Sequence, residues 1–250
     1  MLFNRKNILL FIRTLMLVVC ILIAKLIIHT YFVEFITINN LFSGIIAANV
    51  FLMGFLLSGV LSDYKESEKI PGEIAVSLSI LHEDISLLEG VDTNLTESIL
   101  EKIKLLGGKI KLWFHRDCST SEMIGDIKRI NAELSQFEGK IQVNYIIRFK
   151  HELAALKRLI IRTDTIRDTN FISSGYLIST LITAIMCIGL MFSKIDPFVE
   201  SIFFVGAISF LMIFLLLLIS DLDNPFNYKS HFSVENISLY PIDRFIALIK

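Results

Sequence analysis

Hydrophobic and polar positions fall into long separate blocks along this chain. Four apolar runs, approximately Ile8–Ile28, Leu41–Ser62, Phe171–Phe192 and Phe198–Ser220, meet the length of about 20 residues that a helix needs to cross roughly 30 Å of hydrocarbon. Between the second and third lies a charged stretch, Asp63 to Asn170, in which apolar residues recur at helical period. Ile74, Leu78, Leu81, Ile85 and Leu88 follow a 4-3-4-3 spacing, which places them on one stripe. Leu95, Ile99, Ile103, Leu106, Ile110 and Phe114 predict a second helix, with Thr93-Asn94 as cap candidates and an interruption at Gly107-Gly108. Ile124, Ile127, Ile130, Leu134 and Phe137 mark a third, capped by Ser119, Thr120 or Ser121 and ending near Gly139. A fourth begins near Ile141, carries Ile146, Phe149, Leu153, Leu156 and Ile160, and is expected to pass almost unbroken into the third apolar run. Pro71-Gly72 predicts a kink or break where the helix leaving the second run enters this region. No strand-like alternation competes with these periods.

The expected fold is therefore an all-α membrane protein, with four transmembrane helices (2+2) flanking a cytoplasmic helical bundle. Its domains divide as 1–62, an N-terminal transmembrane hairpin; 63–169, the helical domain; 170–220, a C-terminal hairpin; and 221–250, a tail. Composition agrees: 54% hydrophobic residues exceed the soluble norm, while 20% charged residues are too many for a chain wholly inside a membrane. Arg13 and Lys25 soften the ends of the first run, and both are expected to snorkel toward the headgroups. That run is longer than a signal-peptide core and no small-x-small cleavage pattern follows it, so it reads as a retained helix.

Charge sets the expected orientation. Arg5 and Lys6 precede the first run, His29–Asn40 holds no Lys or Arg, and Ser193–Pro197 holds only Lys194. The positive-inside rule then places both termini and the middle domain in the cytoplasm of a plasma or bacterial inner membrane. The middle domain's charges nearly balance, which gives no electrostatic case for nucleic-acid binding. Cys20, Cys118 and Cys187 are far apart in sequence, without metal-ligand spacing. The five histidines show no HExxH pattern, His82-Glu83-Asp84 reads as a solvated helix face, and Gly107-Gly108-Lys109 lacks the rest of a phosphate loop. No nucleophile, dinucleotide or metal motif points to an enzyme or a cofactor. Trp113, beside Phe114, His115 and Arg116, admits two readings, an amphipathic contact or ordinary packing.

Within the second run, Ala47, Phe51 and Phe55 recur at a spacing of four, with Gly44, Gly54 and Gly59 interleaved. That spacing puts both rings on one helix face, and the glycines permit close approach of neighbouring backbones. The rings either line an apolar constriction, pack between helices or face lipid.

Two segments resemble the bestrophin superfamily of pore-forming membrane proteins, most closely its shorter bacterial members. Phe51-Leu52-Met53-Gly54-Phe55, followed by Leu61-Ser62-Asp63-Tyr64-Lys65-Glu66, is similar to the second helix that forms the bestrophin neck. Asp221-Leu222-Asp223-Asn224-Pro225-Phe226, followed by Ile237-Ser238-Leu239-Tyr240-Pro241-Ile242, is similar to the box after the last membrane helix. The resemblance implies a homo-oligomer, a pentamer, conducting chloride or other small anions through a neck lined by Ala47, Phe51 and Phe55. It makes Asp221, Asp223, Asn224, Pro225 and Phe226 the post-helix box. Two departures stand out. Asn227-Tyr228-Lys229-Ser230-His231 replaces the acidic run of calcium-responsive members, and Asp63-Tyr64 replaces the arginine or tryptophan pair after the neck. A reading from a different class is a membrane-anchored scaffold or sensor whose bundle binds a partner protein.

Overall fold

The structure, a computed structural model, describes residues 5–31, 34–168, 173–223, 225–228 and 236–249. It is an all-α membrane protein: α1 (Arg5–Tyr31), α2 (Asn40–Ser86), α3 (Thr93–Phe114), α4 (Thr120–Leu134), α5 (Val143–Asp168), α6 (Ser173–Met191), α7 (Phe198–Leu222) and α8 (Tyr240–Leu248). Two-residue strands β1 (Ile36–Thr37) and β2 (Ser193–Lys194), which the apolar pattern does not predict, pair in parallel. Among the described residues, four helices are long and apolar enough to span a membrane: Ile8–Tyr31, Asn40–Ser86, Ser174–Met191 and Phe198–Leu222. The link between α5 and the third span lies outside the described residues, as does the third span's expected start at Phe171.

The chain forms two compact units. In the membrane unit, residues up to Tyr64 and from Ser173 to Pro225, α1 packs on α6 and α7. Its core joins Val18, Ile21, Met53, Leu56, Val60, Met186, Leu190, Val205, Met212 and Ile219. Lys25 is a correction to the expected snorkelling: it is fully buried and donates to Glu34 and to the backbone carbonyl of Ser193. Glu34 also meets His29 Nδ1 at 3.2 Å, and the His29 ring stacks on Phe198 at 3.8 Å. The clasp ties the α1–α2 connection to β2. A buried ammonium left without its carboxylate costs about 3 kcal/mol or more. Glu34→Ala is thus expected to lower the denaturation midpoint of the purified protein strongly. The double variant Lys25→Met, Glu34→Ala is expected to recover part of that loss.

The bundle unit comprises the rest of α2, α3, α4, α5 and α8, with Phe226–Tyr228. The stripes are its core: Ile74, Leu78, Leu81 and Ile85 on α2 with Leu88 in the turn after it, Ile99, Ile103, Leu106, Ile110 and Phe114 on α3, Ile127, Ile130 and Leu134 on α4, and Ile146, Phe149, Leu153, Leu156 and Ile160 on α5 are all buried. On α4, Met123 rather than Ile124 completes the stripe. Asp92, not Thr93 or Asn94, caps α3 by accepting from Leu95 N–H at 3.2 Å. Ser119 caps α4 by accepting from Glu122 N–H at 3.2 Å.

Despite the kink or break expected at Pro71-Gly72 and the interruption expected at Gly107-Gly108, neither helix shows a break. Pro71 sits inside a continuous α2, costing the bond to the Ser67 carbonyl; burial of Pro71 itself with Ile70 and Ile74 on either side outweighs that loss. Gly107-Gly108 does not interrupt α3. A Cβ on Gly107 would stand 3.0 Å from Phe245 Cε1, so this glycine admits α8 against α3, whereas Gly108 faces open space. Gly107→Leu is expected to destabilise the bundle by about 1–3 kcal/mol through overpacking. Gly108→Leu is expected to be neutral or to gain up to about 1 kcal/mol from helix propensity. Thermal unfolding of the two variants side by side measures the contrast.

Candidate functional site

α2 presents two unlike faces in the membrane unit. Asn49, Met53, Leu56 and Val60 are buried. Asn49 Nδ2 donates to Thr183 Oγ1 at 3.0 Å, and Thr183 Oγ1 lies 3.9 Å from Met53 Sδ, so a polar contact inside the unit fixes the helix's rotation about its axis. At 100° per residue, Ala47, Phe51 and Phe55 fall on the opposite side. Phe51 is 78% exposed and Phe55 66%, and Ala47 is exposed beside them. The rings therefore do not pack between helices of their own chain. Gly44 and Gly54, on the same outward surface, have nothing within 4 Å of an added Cβ, and Gly59 is half-buried. What the pattern builds is an uncovered aromatic and glycine face on a helix anchored from behind.

The second cluster lies in the bundle, around a residue that the motif reading missed. Arg167 is 7% exposed. Its guanidinium lies 4.4 Å from the Trp113 ring centroid, 5.4 Å from that of Phe114 and 5.9 Å from that of Phe226. Its Nη2 donates to the carbonyls of Trp113 (3.1 Å) and Phe114 (2.9 Å). Those carbonyls belong to the last turn of α3, where the helix dipole favours a cation. Arg116 ends that helix at φ 60°, with its N–H on the Trp113 carbonyl and the Asp117 N–H on the Leu112 carbonyl, a Schellman turn with arginine at the left-handed position. Burial, then repulsion from Arg116, pulls the Arg167 pKa down to about 10. The signal in the sequence was position alone: after Ile146, Phe149, Leu153, Leu156 and Ile160, the buried stripe of α5 continues through Thr163 to Arg167.

This cluster receives part of the post-helix box. α7 ends at Leu222 with Asp223 as its cap; Asn224 lies outside the described residues, and Pro225 is buried. Phe226 is 1% exposed and packs 5.5 Å from Phe114. Asp221 and Asp223 stand in the last turn and at the cap of α7. Tyr228 follows against Phe114 and His115 and donates to the Ile237 carbonyl at 2.7 Å. Trp113 is packed, 1% exposed, with Nε1 donating to Thr120 at 3.0 Å, which settles its two readings in favour of packing. Asp84 of His82-Glu83-Asp84 pairs with Arg148 at 2.8 Å. Among the described residues, no group of three His, Cys, Asp or Glu side chains is placed to hold a metal.

Four spans and a charged helical bundle define an integral membrane protein. No family model matches the sequence, and no curated protein matches it. Solved structures do match in fold. Against one point variant of the bacterial bestrophin homologue from Klebsiella pneumoniae the TM-score is 0.73 at 14% identity, covering 98% of both chains. A second variant gives 0.77 at 15% identity, over 96% of this chain and 98% of that one. Another crystal structure of the same homologue gives 0.74 at 14% identity, over 98% and 97%. This chain has the bestrophin fold.

Proposed function

We propose that the protein is a homo-oligomeric, pentameric ion channel, conducting chloride or other small anions through a neck formed by the second membrane helix. The observation that carries this reading is the outward Phe51/Phe55 face, opposite a face fixed by Asn49 and Met53. A soluble-looking helix core would have buried such rings; here a ring of them around a symmetry axis supplies an apolar constriction that gates by dewetting. Gly44, Gly54 and Gly59 are assigned to close contacts with neighbouring copies, which the open space at Gly44 and Gly54 supports. The bestrophin fold supports the same architecture. Both termini and the bundle are assigned to the cytoplasm on the distribution of Lys and Arg. The hairpin, bundle, hairpin and tail division at 62, 169 and 220 is kept as the functional one. Conduction needs neither a cofactor nor catalytic chemistry, and calcium regulation is not assigned.

Purified protein reconstituted in chloride-loaded liposomes tests the reading: efflux that depends on protein density is expected, and a flux equal to empty liposomes overturns it. The membrane-anchored scaffold is the competing reading; a stoichiometric soluble partner, with no flux, would be its signature.

A further inference from the structure

Between α3 and α4 lies a cavity of about 200 Å³, lined by Lys102, Leu105, Leu106, Lys109, Asp126, Arg129 and Ile130. Lys102 and Lys109 stand seven residues apart on α3, about 10 Å along its axis, with Leu105 and Leu106 between them. Asp126 holds Lys109 at 2.7 Å and Arg129 at 2.9 Å. Lys102 pairs with Glu133. Three cations and Asp126 thus line an apolar floor, with Glu133 pairing Lys102 from outside the lining and Glu122 within electrostatic reach of Lys109. Arg129 contacts Asp126 through Nη1 and is 72% exposed, so the rest of its donor fork is open to a ligand.

We propose that this cavity binds a small organic monoanion: a carboxylate on a short aliphatic or aromatic body. The carboxylate would sit on Arg129 and Lys109, which Asp126, itself in the lining, holds in place. The body would lie on Leu105, Leu106 and Ile130. At roughly 30 Å³ per water the cavity holds about seven waters, or an organic molecule of about ten heavy atoms. The apolar floor gives nothing to a strongly hydrated inorganic ion, which would shed water without replacement. Lys109 of Gly107-Gly108-Lys109 thereby gains a role as one of the two anchoring cations, with Gly108 exposed beside it. The proposal is independent of ion conduction.

The test is ¹⁹F NMR of 4-fluorobenzoate with the full-length protein in detergent. Saturable broadening is expected, displaced by benzoate or hexanoate and untouched by equal concentrations of benzyl alcohol or inorganic phosphate. Arg129→Gln is expected to weaken binding about tenfold or more. Leu105→Trp, at a position 59% exposed and therefore tolerant of bulk, is expected to abolish binding by filling the cavity. Lys128→Gln, an exposed neighbour, is expected to leave it unchanged. No saturable signal, equal displacement by benzyl alcohol or phosphate, or binding that survives both Arg129→Gln and Leu105→Trp overturns the proposal.

Discussion

Arg167→Ala is expected to destabilise the bundle by about 2–4 kcal/mol. Two hydrogen bonds from a charged donor contribute about 1.5–3 kcal/mol each, and stacking over desolvated rings about 2 more. The removed burial cost of the guanidinium offsets part of this. The variant also leaves the Trp113 and Phe114 carbonyls without that donor and opens a cavity beneath Phe226. Trp113 is the single tryptophan of the chain, so its fluorescence reports on this site directly. A red-shifted emission and an earlier unfolding transition are expected for Arg167→Ala. Arg167→Lys keeps the charge but not the planar fork, and is expected to recover only a minor part of the loss. If Arg167→Ala unfolds like the parent with unchanged emission, the cluster is not what anchors Phe226.

The same residue gives a pH signature. Its folded pKa, about 10, lies below the ordinary guanidinium value, so between the two the unfolded chain binds more protons than the folded one. Stability therefore rises with pH across that window, and this group adds no slope below it. Arg167→Met is expected to remove the rise, which denaturant unfolding between pH 9 and 11 measures through its lower part.

The second large effect is expected at the outward face of α2. In the proposed neck, Phe51→Ala with Phe55→Ala would replace both rings of each subunit, widening the constriction and removing apolar wall. Lowering the barrier to ion passage by about 1.4 kcal/mol raises flux tenfold. An increase of about that size is expected in liposome efflux, with each subunit's fold retained because both rings are largely exposed on their own chain. Met53→Ala, on the packed side, is the control. It is fully buried, and its loss is expected to cost about 2–5 kcal/mol of stability without a specific gain in flux. If the Phe pair leaves flux unchanged, or if Met53→Ala reproduces its effect at equal folding, the neck lies elsewhere.

The residues that were legible in the sequence are those whose partners are periodic. Ile74 to Leu88 and Ile146 to Ile160 read as stripes because each helix buries one face, and the structure buries them. Helix breakers were less legible. Gly107 and Pro71 are local signals for a break, yet packing against Phe245 and burial beside Ile70 and Ile74 override them. Long-range polar partners were not legible at all. Arg167 meets carbonyls 53 and 54 positions away, and Lys25 meets a carbonyl 168 positions away. No spacing rule connects such pairs. The Phe51/Phe55 face was visible as a periodicity, but its exposure was not, since lipid, a neighbouring helix and a pore all accept phenylalanine. That exposure depends on Asn49 finding Thr183 on a helix far along the chain.

A central neck needs several copies of α2 around one axis, and one chain supplies a single such helix. Counting the chains in the detergent-solubilised particle, by native mass spectrometry or by particle symmetry in electron micrographs, tests this most directly. Five copies with Phe51 and Phe55 facing the axis is the expected result; a monomer or a dimer contradicts the pore.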